Sequence, residues 1–159
     1  MARRCPENKF VGLGTLRGWK WFINDRGYAN VIRSPQDLVY GLVYEISPSD
    51  EAKLDRHEEV PQIYTKEMLG IDLQSIASGG KYLVQSLVYV DGRRVEEGEP
   101  RKEYIHRINM GINDAAGRGL PRWYIDKYIR GSIPAEGGKE AVEGFKPEEA
   151  LHHAKANVE

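Results

Sequence analysis

An α+β fold built on a mostly antiparallel, curled sheet or small barrel is what this sequence predicts, on three observations. Strand-like runs fill most of the chain up to Asp91. One short helical stretch interrupts them, and helical spacing takes over only after Pro100. Strands with one inserted helix, followed by helices, differ from the strict strand–helix alternation that builds parallel sheets.

In residues 9–24 apolar and aromatic side chains are punctuated by Gly12, Gly14 and Gly18, which suits short strands that bend or approach another backbone closely. Residues 28–33 form a further strand. Residues 38–46 are almost continuously apolar, as expected of a strand buried on both faces. A helix then starts at Ser47, which can cap, with Pro48 suited to the first helical position and Asp50 and Glu51 at the positive end. It stops near Glu59, because Pro61 biases Val60 away from helical geometry. Residues 64–74 and 81–91 are two more strands, closed into a hairpin by the polar link 75–80. In residues 101–116 Ile105, Ile108, Ile112 and Ala115 fall on one helical stripe. Pro121 opens a second helix that carries Trp123, Tyr124 and Ile129 and ends at Gly131. From Ala135 the chain is Gly- and Glu-rich with few large apolar residues. The domain is therefore expected to span residues 1–134, with 135–159 a mobile charged tail, only loosely helical.

A chain of 159 residues can bury one real core and is too short for two ordinary domains. Charged residues make up 30% with a formal net charge of -1, so the basic excess of a nucleic-acid surface is missing. No run approaches the roughly 20 apolar residues of a membrane span, and a cytoplasmic location is expected. Cys5 stands alone, without a partner for a disulfide or a thiolate metal site, and a lone cysteine near an end is more often incidental than catalytic. His57 and His106 fall in different helices, and His152 and His153 in the tail, so no zinc spacing emerges. Phosphate-loop and Gly-x-Ser-x-Gly patterns are absent. Neither metal nor organic cofactor is expected.

Carboxylate chemistry is what remains. Glu58 and Glu59 close a helix at its negative end, where acids are normally disfavoured by a few tenths of a kcal/mol up to about 1. Two readings stand. The pair is either a solvated acidic end neutralised by Arg56 or Lys53, or it includes a proton acceptor that a site requires there. Tyr64, Tyr89, Tyr104 and Tyr124 are candidate polar supports, each also a candidate core residue.

The ordered pieces Val39-Tyr40-Gly41-Leu42-Val43-Tyr44, Leu54-Asp55-Arg56-His57-Glu58, Tyr64 and Gly119-Leu120-Pro121 with Tyr124 resemble the gamma-glutamylcyclotransferase-like family. Arg4-Cys5-Pro6 and Arg26-Gly27-Tyr28-Ala29-Asn30 extend the resemblance, which covers residues 4–130. It implies a compact α+β fold with a small mixed barrel and flanking helices. It also implies an enzyme that releases 5-oxoproline from a small-molecule γ-glutamyl peptide or amine. The family's Leu-Asp-x-x-Glu motif places the catalytic acid and base at Glu58, with Tyr64 and Tyr104 as substrate-binding residues and no cofactor. Neither nucleic acid nor membrane is implied as a partner, and a homodimer is a candidate assembly.

Two departures qualify the resemblance. Glu59 stands where the family motif usually continues with glycine. The family's opening strand, ending in Tyr-Gly-Ser-Asn with a loop that receives the glutamyl group, has no counterpart in the sequence. The chain is thus expected to start within the following helix and to expose a strand edge. A catalytically impaired or non-enzymatic ligand-binding member is the alternative function, and a different amine-acyl reaction on the same scaffold a third.

Overall fold

The computed structural model describes residues 5–135, so the expected tail lies outside the described residues, save Ala135. Strands β1 (Lys9–Ile23) and β2 (Ala29–Glu45) form one long antiparallel hairpin. After helix α1 (Pro48–His57), strands β3 (Thr65–Ser75) and β4 (Lys81–Val90) form a second. Helix α2 (Lys102–Gly117) follows, then α3 (Arg122–Tyr124), which runs directly into a π-helical segment, Ile125–Ile129. The sheet has four strands in the order β2-β1-β3-β4. Every strand pair among the described residues is antiparallel and the sheet is not closed, so the α+β class holds while the barrel is open. No helix among the described residues is long and apolar enough to cross a membrane.

Two expectations about the first hairpin change. The short strands expected around Gly12, Gly14 and Gly18 are one 15-residue strand, bent by register shifts at Phe10/Gly12 and Arg17/Trp19. Likewise, the strands expected at 28–33 and 38–46 are a single 17-residue strand that runs through Pro35. Proline survives there because residues 34–37 fall in the register shift between Arg17 and Trp19, where none of them pairs with β1 and no ladder bond is lost.

The glycines serve close approach. The hairpins are joined by a seam of four residue pairs, Gly12↔Ser75, Leu13↔Gln74, Gly14↔Leu73 and Thr15↔Asp72. A Cβ on Gly12 would lie 2.0 Å from the Gln74 carbonyl oxygen, and one on Gly14 would meet Val43 Cγ2 at 2.7 Å.

The main core lies between the sheet and α2 with the π segment, around Leu16, Trp21, Val39, Ile71, Ile108 and Tyr124. On α2 the buried stripe is Tyr104, Ile108 and Ile112, with Ile105 and Ala115 at its border. Trp123 is half exposed, so Tyr124, Ile125 and Ile129 do the inward packing in the last helical segment. A second, smaller cluster of Cys5, Leu54, Tyr64 and Tyr89 fastens α1 against β4. Cys5 is fully buried there, as a packing residue.

Gly12→Ala is expected to destabilise the fold by about 2 kcal/mol or more, because the backbone oxygen it meets belongs to a paired strand and cannot swing aside. Denaturant unfolding checks this. A change under about 0.5 kcal/mol would show that the seam tolerates separation.

Candidate active site

Helix α1 presents one buried stripe at i, i+4 spacing, made of Asp50, Leu54 and Glu58. Its start is capped as the sequence predicts: Ser47 Oγ accepts the Asp50 N–H at 3.2 Å. The Asp50 carboxylate is held by Lys53 Nζ at 2.8 Å and by the Glu7 N–H at 3.0 Å. Lys53 thus serves Asp50 and not the acidic pair at the other end.

That other end is decided by one residue. Glu58 is the C-cap, its N–H donating to the Leu54 carbonyl at 2.8 Å. Glu59 adopts a left-handed φ of 51°, its N–H reaches the Arg56 carbonyl at 3.4 Å, and the Val60 N–H reaches the Asp55 carbonyl at 2.9 Å. These two bonds are the pattern of a Schellman termination. The turn keeps Glu58 in register with Leu54, only 2% exposed, and sends Glu59 outward into solvent. The solvated-end reading therefore fits Glu59 and fails for Glu58. It also explains why glycine suits the position after the motif glutamate, since only glycine reaches that φ without Cβ strain.

Tyr64 and Tyr104 meet at one residue of the opposite hairpin. The Tyr64 hydroxyl donates to the Ala29 carbonyl at 3.2 Å, and the Tyr104 hydroxyl accepts the Ala29 N–H at 3.3 Å. Both phenols are buried. Burial pushes the Tyr64 phenol far above its ordinary range, and the Glu58 charge pushes it further. Burial does the same to Tyr104, helped by Tyr64 and Glu58. The structure thus brings Glu58, Tyr64 and Tyr104 into one electrostatic neighbourhood. The other two tyrosines do not share it in the same way. Tyr89 packs beside Tyr64 in the small cluster but donates its hydroxyl to Asp55 Oδ1 at 2.8 Å, and Tyr124 sits in the main core against Tyr40 and Tyr128.

Sequence reasoning missed the groups that complete this neighbourhood. Asn30, fully buried, donates from Nδ2 to the carbonyls of Asp91 at 2.8 Å and Arg94 at 3.1 Å, and accepts the Asp91 N–H at 3.1 Å. Asp91, 1% exposed, accepts the Arg93 and Arg94 N–H groups and Arg94 Nη1 at 2.9 Å. The signals for this arrangement were the Asp91-Gly92 pair after a strand, a turn signature that says nothing about burial, and the Arg26-Gly27-Tyr28-Ala29-Asn30 stretch of the resemblance, which gave Asn30 no role. Among the described residues no group of three His, Cys, Asp or Glu side chains could hold a metal ion.

The gamma-glutamyl cyclotransferase, AIG2-like family matches residues 2–107 of the chain, two-thirds of its length and the whole of the Glu58 neighbourhood described above. The chain belongs to this family. Its fold is shared by a solved gamma-glutamyl cyclotransferase, with a TM-score of 0.68 and 22% identity over 94% of this chain and 86% of that one. An uncharacterized protein from Homo sapiens is alike to the same degree, with a TM-score of 0.68 and 22% identity over 92% of this chain and 85% of that one. No curated protein sequence matches the chain. For a member of the gamma-glutamyl cyclotransferase, AIG2-like family, a general cyclotransferase function is supported.

Glu59→Gly is expected to raise the thermal midpoint by about 1–4 °C. Relief of the left-handed strain, about 1–2 kcal/mol, exceeds the added unfolded-chain entropy of about 0.5–1 kcal/mol. Calorimetry checks it, and a lower midpoint would mean that the Glu59 side chain contributes bonds of its own.

The buried phenols carry a second expectation. Their native pKa values lie above the ordinary value of about 10, so the stability they contribute is complete below that pH and is lost as pH climbs toward their raised values. Tyrosinate absorbance from this group should therefore appear together with loss of the circular dichroism signal. Full tyrosine ionisation in a still-folded protein would contradict it.

Proposed function

We propose that the chain releases 5-oxoproline from a γ-glutamyl peptide or γ-glutamyl amine, with Glu58 as general acid and base. The observation that carries this reading is the inward turn of Glu58 at a helix C-terminus, beside two protonated phenols. A carboxylate in that place gains nothing from the helix dipole, and its shelter from water strengthens its hold on an incoming ammonium.

The reaction needs two protons carried from the α-nitrogen to the departing nitrogen, one of them through Glu58. The substrate's α-ammonium gives a proton to the Glu58 carboxylate, and the freed amine attacks its own γ-carbonyl carbon to close a five-membered ring. As the tetrahedral adduct collapses, Glu58 gives its proton to the departing nitrogen and the bond from that nitrogen to the γ-carbon breaks; the ring nitrogen loses its second proton to the freed amine, which leaves as an ammonium with Glu58 again a carboxylate. Because attack is intramolecular, holding the glutamyl chain folded supplies much of the acceleration, up to effective molarities of about 10⁵ M or more. Tyr64 and Tyr104 stay protonated and act by position, bracing the main chain at Ala29 from both sides of that residue. Neither serves as the base.

Glu58→Gln preserves size and hydrogen bonding but cannot accept a proton, so 5-oxoproline release should fall by about 10² to 10⁴. Glu59→Gln should lower it by less than about threefold, since that side chain faces solvent. The assay spans γ-glutamyl peptides and γ-glutamyl amines and reads 5-oxoproline directly. If Glu59→Gln is the silent variant and Glu58→Gln remains active, the base is misassigned. A wild-type chain that binds 5-oxoproline yet releases none from any γ-glutamyl compound would be the non-enzymatic, ligand-binding member instead.

A further inference from the structure

The register of the sheet lays two complete rows of side chains across all four strands. In the first, Tyr40, Thr15, Asp72 and Leu83 stand side by side from β2 to β4. In the second, two residues away on every strand, Leu42, Leu13, Gln74 and Lys81 do the same. Faces alternate along a strand, and Ile71 and Leu73 on either side of Asp72 belong to the main core, so Asp72 and Gln74 look away from it. A groove of about 460 Å³ lies over these rows, taking in the whole of the first and all but Leu42 of the second, with Arg17, Tyr82 and Pro121 as its other walls. Its volume falls within the roughly 300–1,000 Å³ of small-molecule sites.

Apolar surface stands at both ends of the first row and polar groups in its middle. Leu83 is 77% exposed and Tyr82 50%, so β4 offers the groove two large side chains that a ligand can withdraw from water. At the other end Tyr40 is held by the rings of Trp123 and Tyr124, 6.0 and 5.2 Å away. The groove also contains two cations and one carboxylate. Arg17 Nε donates to Asp72 Oδ2 at 2.7 Å, which leaves its two Nη groups without a hydrogen bond among the described residues. Lys81, exposed at the start of β4, makes no ion pair among the described residues. The hairpin link engages the neighbours, Gln74 Nε2 donating to the Gly79 carbonyl at 2.7 Å and the Tyr82 hydroxyl to Ser78 Oγ at 2.9 Å, and so leaves the two cations as the spare charged donors.

We propose that this groove binds a small amphipathic carboxylate, its anion held by Arg17 and Lys81 and its ring or hydrocarbon chain laid over Leu83 and Tyr82. One uncompensated positive charge matches a single carboxylate, and Asp72 in the same groove opposes a more highly charged phosphate. A guanidinium with free Nη groups suits the planar acid, and the exposed leucine and tyrosine gain from being covered by carbon. The groove is separate from the Glu58 neighbourhood. Tyr64 precedes β3 and Asp72 stands near its far end, so at about 3.3 Å per residue the two lie on the order of 20 Å apart. Occupancy of the groove does not depend on the proposed 5-oxoproline chemistry.

Calorimetric or NMR titration of the full chain with naphthalene-2-acetate tests the proposal, with 2-(2-naphthyl)ethanol as the neutral analogue of the same ring. The acid should bind saturably and at least about fivefold tighter than the alcohol, an advantage that added salt reduces. Lys81→Gln should weaken the acid by about 3- to 10-fold and leave the alcohol unchanged within about twofold, whereas Leu83→Ser should weaken both by about 3- to 10-fold. Both side chains are exposed on an edge strand, so the variants are expected to keep the wild-type thermal midpoint within about 2 °C. Absence of saturable binding, equal binding of acid and alcohol, or full wild-type affinity in both variants overturns the proposal. So does association of the chain that Leu83→Ser abolishes, because the groove is then an interface between copies.

Discussion

Two hairpins meet along only four residues of β1 and four of β3, and every group around Glu58 is placed by that seam. Glu58 and Tyr64 belong to the connection leading into the second hairpin, while Ala29 and Asn30 begin β2 in the first. Gly12 sets the distance, because any side chain there would collide with the Gln74 carbonyl. The Tyr64–Ala29 and Asn30–Asp91 bonds then tie the two hairpins together a second time, at a point remote from the seam in sequence. A hairpin pair joined at one place can hinge, and joined at two it holds a fixed cleft geometry. Preorganisation of this kind is what an intramolecular ring closure asks of its scaffold.

The three carboxylates buried among the described residues differ in how the chain places them. Asp50 is held by one main-chain N–H and Lys53, Asp91 by two main-chain N–H groups and Arg94, and each organises a chain turn at an element boundary. Such fully provided acids define local geometry. Glu58 follows another logic, reaching inward from the helix end where negative charge is disfavoured by a few tenths of a kcal/mol up to about 1. An apolar residue would fill the stripe below Leu54 without desolvating a charge. Retaining an acid there makes sense where its proton affinity is used.

Much of this was legible in the sequence because it is local. Ser47 and Pro48 announce the start of α1, and Pro61 its end. The polar link at 75–80 announces the second hairpin, and the isoleucine spacing announces α2. Glu58 was reachable by its misplacement against the helix dipole combined with the Leu-Asp-x-x-Glu resemblance. What stayed hidden is nonlocal. Nothing in residues 34–37 signals that one strand runs through Pro35, since that depends on those residues bulging out of the ladder with β1. Asn30, Asp91 and Arg94 are ordinary turn and strand-end residues until the fold sets positions 61 apart in sequence against each other. Likewise, the neighbouring acids Glu58 and Glu59 look equivalent as text, and only the left-handed φ at Glu59 assigns one to the interior and the other to solvent.

That assignment also limits what the second acid can do. With Glu59 outside, the Glu58 neighbourhood contains one carboxylate from the motif and not a coupled pair, so the departure from the family's glycine alters backbone strain more than site electrostatics. The other anion that raises the Tyr64 phenol is Asp91, and its carboxylate is already paired with Arg94 at 2.9 Å, so it organises its own turn and leaves Glu58 as the acid that the helix end turns inward.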